Sequence, residues 1–142
     1  MSKVDDLRIK SVLALDSPAQ VIAEVSLTSE SIATVLNSRN TVKSILHDGS
    51  NKLVVVVGPC SIHDVKSAME YANKLLPLKE KYKNELEIIM RVYFEKPRTT
   101  IGWKGLINDP GLDETFNINL GLRMARELLQ KINHIGLPTA TE

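Results

Sequence analysis

Residues 54–64 read VVVVGPCSIHD, and the fold turns on why four valines stop at Gly-Pro-Cys. With Leu53 the run is five apolar residues, four of them β-branched. That composition marks a strand buried on both faces, as in a parallel sheet. Gly58 and Pro59 break the run. Asp64 is placed to cap a helix whose inward positions are Val65, Ala68, Ala72, Leu75 and Leu76. Pro77 lacks an N–H and is expected to kink or end that helix. Cys60, the single cysteine of the chain, sits where the buried run ends.

The same alternation continues downstream. Residues 86–94 form a second strand pattern, and residues 94–117 a long loop. Ile118, Leu122, Ala125, Leu128, Leu129 and Ile132 trace an amphipathic helix, with Gly136 as its stop. Residues 137–142 open a third strand. Strand, helix, strand, helix, strand implies a parallel sheet with helical crossovers. Upstream, Ser17-Pro18-Ala19-Gln20 reads as an N-cap, a proline at the first helical position and a capping Gln. A further helix starts near Thr28, with Ile32, Val35, Leu36, Val42, Ile45 and Leu46 on one face, and ends at Asp48-Gly49-Ser50. The expected fold class is α/β. Residues 1–50 form a helical N-terminal extension and residues 51–142 the first two and a half βα units of a truncated (β/α)8 barrel, since such a barrel takes about 250 residues. A doubly wound sheet is the competing architecture.

Composition narrows the function. Eighteen Lys and Arg against seventeen Asp and Glu leave no basic field, and only 4% of residues are aromatic. Nucleic acid is therefore not expected as a partner. No apolar run approaches the roughly 18 residues of a membrane span. Charges run through the first 20 residues, so no signal peptide is expected. One cysteine cannot make an internal disulfide, so a reducing cytoplasm is the expected location.

In parallel α/β folds, sites form at the C-terminal ends of strands. Three such ends should converge here: residues 58–61, 91–100 and 139–142. Cys60 is either a small buried thiol or a soft ligand or nucleophile. His63 is close by but suits a helix start. The segment MRVYFEKPRTTIGWKG carries Arg91, Lys96, Arg98 and Lys104 against Glu95, with Thr99 and Thr100 adding hydroxyls. Arg91 shares a strand face with Ile89 and Tyr93. A cation on a buried strand needs an anion, and guanidinium grips carboxylate or phosphate bidentately. A solvated basic loop is the bland alternative. Glu142 ends the third strand. These residues suit an enzyme of small phosphorylated or carboxylated substrates and do not reach the reaction.

GPCSIHD (58–64), MRVYFEKPRTT (90–100), GWKGLINDP (102–110) and GLPTATE (136–142) together resemble the type I 3-deoxy-7-phosphoheptulonate (DAHP) synthases. The resemblance runs from Asp5 onward. It implies a metal-dependent (β/α)8 barrel that condenses phosphoenolpyruvate with erythrose 4-phosphate, the first step of the shikimate route to aromatic amino acids. It implies that Cys60 is one ligand of a divalent metal (Mn, Fe, Co, Zn or Cu). It further implies that Arg91, Lys96 and Glu142 contact phosphoenolpyruvate, with Arg91 and Lys96 catalytic, and that Arg98, Thr99 and Thr100 bind erythrose 4-phosphate. Asp5 and Asp6 fall in the segment of the family's feedback-inhibitor and oligomer interface, so an aromatic amino acid and further copies of the full-length chain are the implied partners. The family's remaining metal ligands, a His, a Glu and an Asp, lie beyond residue 142. The chain alone is expected to be inactive, with an exposed sheet edge. The alternative is a non-catalytic truncated product that binds full-length subunits.

Overall fold

The computed structural model describes residues 7–9, 11–96 and 102–142. Its elements run α1 (Pro18–Glu24), α2 (Ser29–His47), β1 (Leu53–Val57), α3 (Val65–Lys81), β2 (Leu86–Arg91), α4 (Ile118–His134) and β3 (Thr139–Ala140). The strands form one parallel sheet in the order β1-β2-β3. Leu53 pairs with Leu86 and Val57 with Met90, while Met90 and Arg91 pair with Thr139 and Ala140. All three C-terminal ends therefore lie side by side.

Local chemistry sets the helix starts. Ser17 caps α1 by accepting from Gln20 N, and Thr28 caps α2 by accepting from Ser31 N. Asp64 accepts from the backbone N–H of both Lys66 and Ser67 at 3.0 Å. Its carboxyl is held below the usual range, chiefly by the Ser67 hydroxyl. The C-terminal stop of α4 is Gly136, at φ +90°, where a left-handed residue satisfies the last carbonyls.

The core lies between the sheet and the crossover helices. Ala68, Ala72 and Leu75 of α3 and Ala125, Leu128 and Ile132 of α4 pack with Ile88, Met90, Val92, Phe94, Leu106 and Leu137. α1 is held on α4 by a polar clasp: Arg123 donates to Asp16 Oδ2 and Glu24 Oε2, both at 2.6 Å. Hydrogen bonding from Arg123 lowers the Glu24 carboxyl below its usual range.

Three expectations need correction. The valine strand β1 is not buried on both faces: Leu53 is 67% exposed and Val56 50%. It is the edge of the sheet, whereas β2, between two neighbours, buries Glu87, Ile88, Ile89 and Met90. The apolar face of α2 is not uniformly inward. Ser31 and Ser38 are its buried residues, bonded to Gln130 O and to Glu87 Oε1, while Ile32, Leu36 and Leu46 are exposed. Two hydroxyls reach across to α4 and β2, and this fixes the rotation of the helix.

Third, of the two outcomes expected at Pro77, a kink or an end, the end does not occur: α3 continues through it to Lys81. Pro77 deprives the Asn73 carbonyl of a donor, and both residues are exposed, so water can take the missing bond. Pro77→Ala is expected to raise stability by about 1–3 kcal/mol, read as a higher urea midpoint; a lower midpoint would show that the fold needs the proline.

Candidate active site

The strand ends place most of the expected residues together. Gly58 follows β1 directly, and a Cβ there would stand 2.5 Å from the Arg91 carbonyl oxygen. Only glycine lets the two chains approach so closely. Pro59 then turns the chain so that its carbonyl accepts from Arg91 Nη1 at 2.9 Å. The Arg91 guanidinium also lies over the Tyr93 ring, 4.0 Å from its centroid, an attraction of cation to π-face. Arg91 and Tyr93 do share a face, as alternation required.

Cys60 is exposed rather than a buried thiol. Lys96 Nζ donates to Cys60 Sγ at 3.7 Å, so the first and second strand ends meet through side chains. His63 is exposed at the start of α3. From the third strand end, Glu142 Oε1 accepts from Glu95 N at 2.8 Å. Cys60, Arg91, Lys96 and Glu142 thus border one region of the sheet's C-terminal edge. Arg98, Thr99, Thr100, Asp5 and Asp6 lie outside the described residues.

Glu95 and Asn108, which the sequence reading gave no site role, complete the region. Asn108 donates through Nδ2 to Glu95 Oε2, and the other Glu95 oxygen is buried with no hydrogen-bond partner among the described residues. Burial raises the Glu95 carboxyl above its usual value, Asn108 opposes this, and the nearby Glu142 charge adds to it. Trp103 Nε1 donates to the Asp109 carbonyl at 2.8 Å, folding the loop back on itself. The paired glycines at 102 and 105, flanking Trp103 and Lys104, were the available signal for this turn.

As a metal centre the described residues are incomplete. Cys60 offers one soft, exposed donor, but among the described residues no group of three or more His, Cys, Asp and Glu could hold a metal ion. One thiol is too few for a catalytic site, which needs about three protein ligands.

The sequence profile of the DAHP synthetase I family matches residues 24–142. The Phe-sensitive phospho-2-dehydro-3-deoxyheptonate aldolase of Escherichia coli K12 is 54% identical over 138 residues, which is 97% of this chain and 39% of that protein. A phospho-2-dehydro-3-deoxyheptonate aldolase from Haemophilus influenzae, with no inhibitor in its name, is 52% identical, over 97% of this chain and 38% of its own. The Trp-sensitive E. coli K12 aldolase is 46% identical over the whole chain, 41% of its length. A solved structure of the aldolase from Francisella tularensis SCHU S4 superposes with a TM-score of 0.88 at 51% identity, covering 94% of this chain and 39% of that one. The chain thus spans about two fifths of the relatives it matches. Its α/β order agrees with the opening units of the expected barrel. With a profile match from Glu24 to Glu142, the chain belongs to the DAHP synthetase I family.

Proposed function

We propose that this chain supplies the phosphoenolpyruvate side of an active site that condenses phosphoenolpyruvate with erythrose 4-phosphate. The products are 3-deoxy-D-arabino-heptulosonate 7-phosphate and inorganic phosphate. The observation that carries the reading is the meeting of Lys96 with Cys60 and of Arg91 with Pro59 at adjoining strand ends. Two cations there can neutralise a carboxylate and a phosphate and hold them in register. The enol carbon of phosphoenolpyruvate forms the new bond to the aldehyde carbon, and the aldehyde oxygen takes a proton. Water adds at the former enol C2, and phosphate leaves. Charge builds on oxygens in these steps, so fixed cations favour the transition state over the ground state.

Cys60 would be one ligand of a divalent metal, whose chemistry is to polarise the aldehyde oxygen. One thiol alone does not hold a metal. Glu142 would face phosphoenolpyruvate, and Arg98, Thr99 and Thr100 the erythrose 4-phosphate end. The relatives' names, Phe-sensitive and Trp-sensitive, support feedback by an aromatic amino acid. Asp5 and Asp6, with the extension over residues 1–50, are the proposed place of that control and of subunit contact. A cytoplasmic setting suits such substrates; among the described residues no helix is long and apolar enough to cross a membrane.

The test joins this chain to the part of the E. coli Phe-sensitive aldolase that lies beyond the match. This hybrid is expected to release phosphate only when both substrates and a divalent metal are present, and the 142-residue chain alone to release none. A folded hybrid without turnover would overturn the reading. Activity in the chain alone would overturn the idea that it contributes only part of a site.

A further inference from the structure

The loop after β2 returns to its starting point, and among the described residues two backbone hydrogen bonds and one from a side chain close its base. Glu95 and Gly105 face each other as an antiparallel bridge. Leu106 N donates to Phe94 O at 2.9 Å, and Lys96 N to Lys104 O at 3.0 Å. Gly105 stands at φ +128°, with a Cβ position 2.1 Å from the Phe94 carbonyl oxygen, so the two limbs touch. These are backbone features. Among the described residues, a side-chain bond across the base joins Asn108 Nδ2 to Glu95 Oε2, while Glu95 Oε1 is buried and has no hydrogen-bond partner there. A carboxylate in that position is costly unless its one bond is kept. Lys96 is the next residue along, directed at Cys60.

We propose that Glu95 and Asn108 are positioning residues: the hydrogen bond between them locks the loop base and thereby aims Lys96 at Cys60 and at the anion bound there. The inference rests on the functional reading above. Nothing in it requires Glu95 or Asn108 to touch substrate. A device of this kind shows itself by exchange. Asn108→Asp sets one carboxylate against another, whereas Glu95→Gln with Asn108→Asp restores a donor and an acceptor in reversed order.

Two readouts in the hybrid test the pair. In the first, Asn108→Asp is expected to raise the KM for phosphoenolpyruvate about tenfold with a smaller change in kcat, and the double exchange to return it to within about threefold. The second is the rate at which trypsin cuts the folded protein after Lys104, followed by mass spectrometry. Cutting is expected to be about tenfold faster in Asn108→Asp and to return with the exchange, because cleavage needs the loop base to open. If the hybrid itself does not turn over, the functional reading fails, yet the cleavage rates still decide this proposal. Cleavage of Asn108→Asp at the unmodified rate, or a double exchange no better than the single change, overturns it. Should Asn108→Asp not fold, Asn108→Ala removes the donor without adding charge, and the same comparison decides.

Discussion

Arg91→Ala is expected to lower kcat/KM of the hybrid by about a thousandfold, equivalent to roughly 4 kcal/mol of transition-state stabilisation. Arg91 ends β2, the most deeply buried strand, and is itself half-buried. Its place is fixed twice, by the Pro59 carbonyl at 2.9 Å and by the Tyr93 ring at 4.0 Å. A guanidinium held in one orientation presents its remaining donors as a planar fork, which suits a carboxylate or phosphate. Little reorganisation is then needed when charge moves onto substrate oxygens. Arg91→Lys keeps the charge and loses both the fork and the ring stacking, so it should recover about a tenth of the lost activity or less. Steady-state kinetics in phosphoenolpyruvate checks this. The thermal midpoint must be read alongside, because Arg91 also ties β2 to the Gly58-Pro59 turn. An activity loss with an unchanged midpoint assigns Arg91 to the substrate. Full activity in Arg91→Ala would remove it from the site.

What the sequence made legible follows from how far each cause reaches along the chain. Ser17, Thr28 and Asp64 act within three residues of themselves, and each caps the helix it precedes. The meeting of strand ends was legible too, since parallel pairing forces residues 58–60, 91–96 and 139–142 to one edge. Burial of β1 was not, because a run of valines records apolarity and not the number of neighbours. β2 has two neighbours and β1 has one. The rotation of α2 was hidden for a related reason. Ser31 and Ser38 look like surface residues until Gln130 and Glu87, 99 and 49 positions away, supply acceptors. In the site, Cys60, Arg91 and Lys96 stood out by chemistry. Asn108 did not, since its part depends on a loop folding back over thirteen residues to Glu95.

Gly121→Ala is expected to destabilise the hybrid by about 2–4 kcal/mol, against the sign of helix propensity, which favours alanine by about 1 kcal/mol. Gly121 lies in the first turn of α4 and is buried. A Cβ there would stand 2.1 Å from the Ile107 carbonyl oxygen and 2.7 Å from the Ile107 carbonyl carbon and Cα. Those atoms are backbone, so no side chain can swing away, and either the helix or the 105–109 turn must shift. The turn is also the return limb of the site loop: Leu106 is buried in the core and Asn108 bonds Glu95. Displacing it should therefore weaken phosphoenolpyruvate binding as well as stability, although Gly121 is not among the residues bordering the site. Gly136→Ala is the control. Its Cβ would meet nothing within 4 Å, so only the positive φ opposes it, and a loss of about 1 kcal/mol is expected. Urea midpoints of the two variants separate the causes. If Gly121→Ala loses more than Gly136→Ala and raises the KM, close approach of α4 sets the position of the loop that carries Lys96. If Gly121→Ala is the more stable protein, that approach is not what holds the loop, and the position of Lys96 must come from β2 and the Glu95–Gly105 bridge alone.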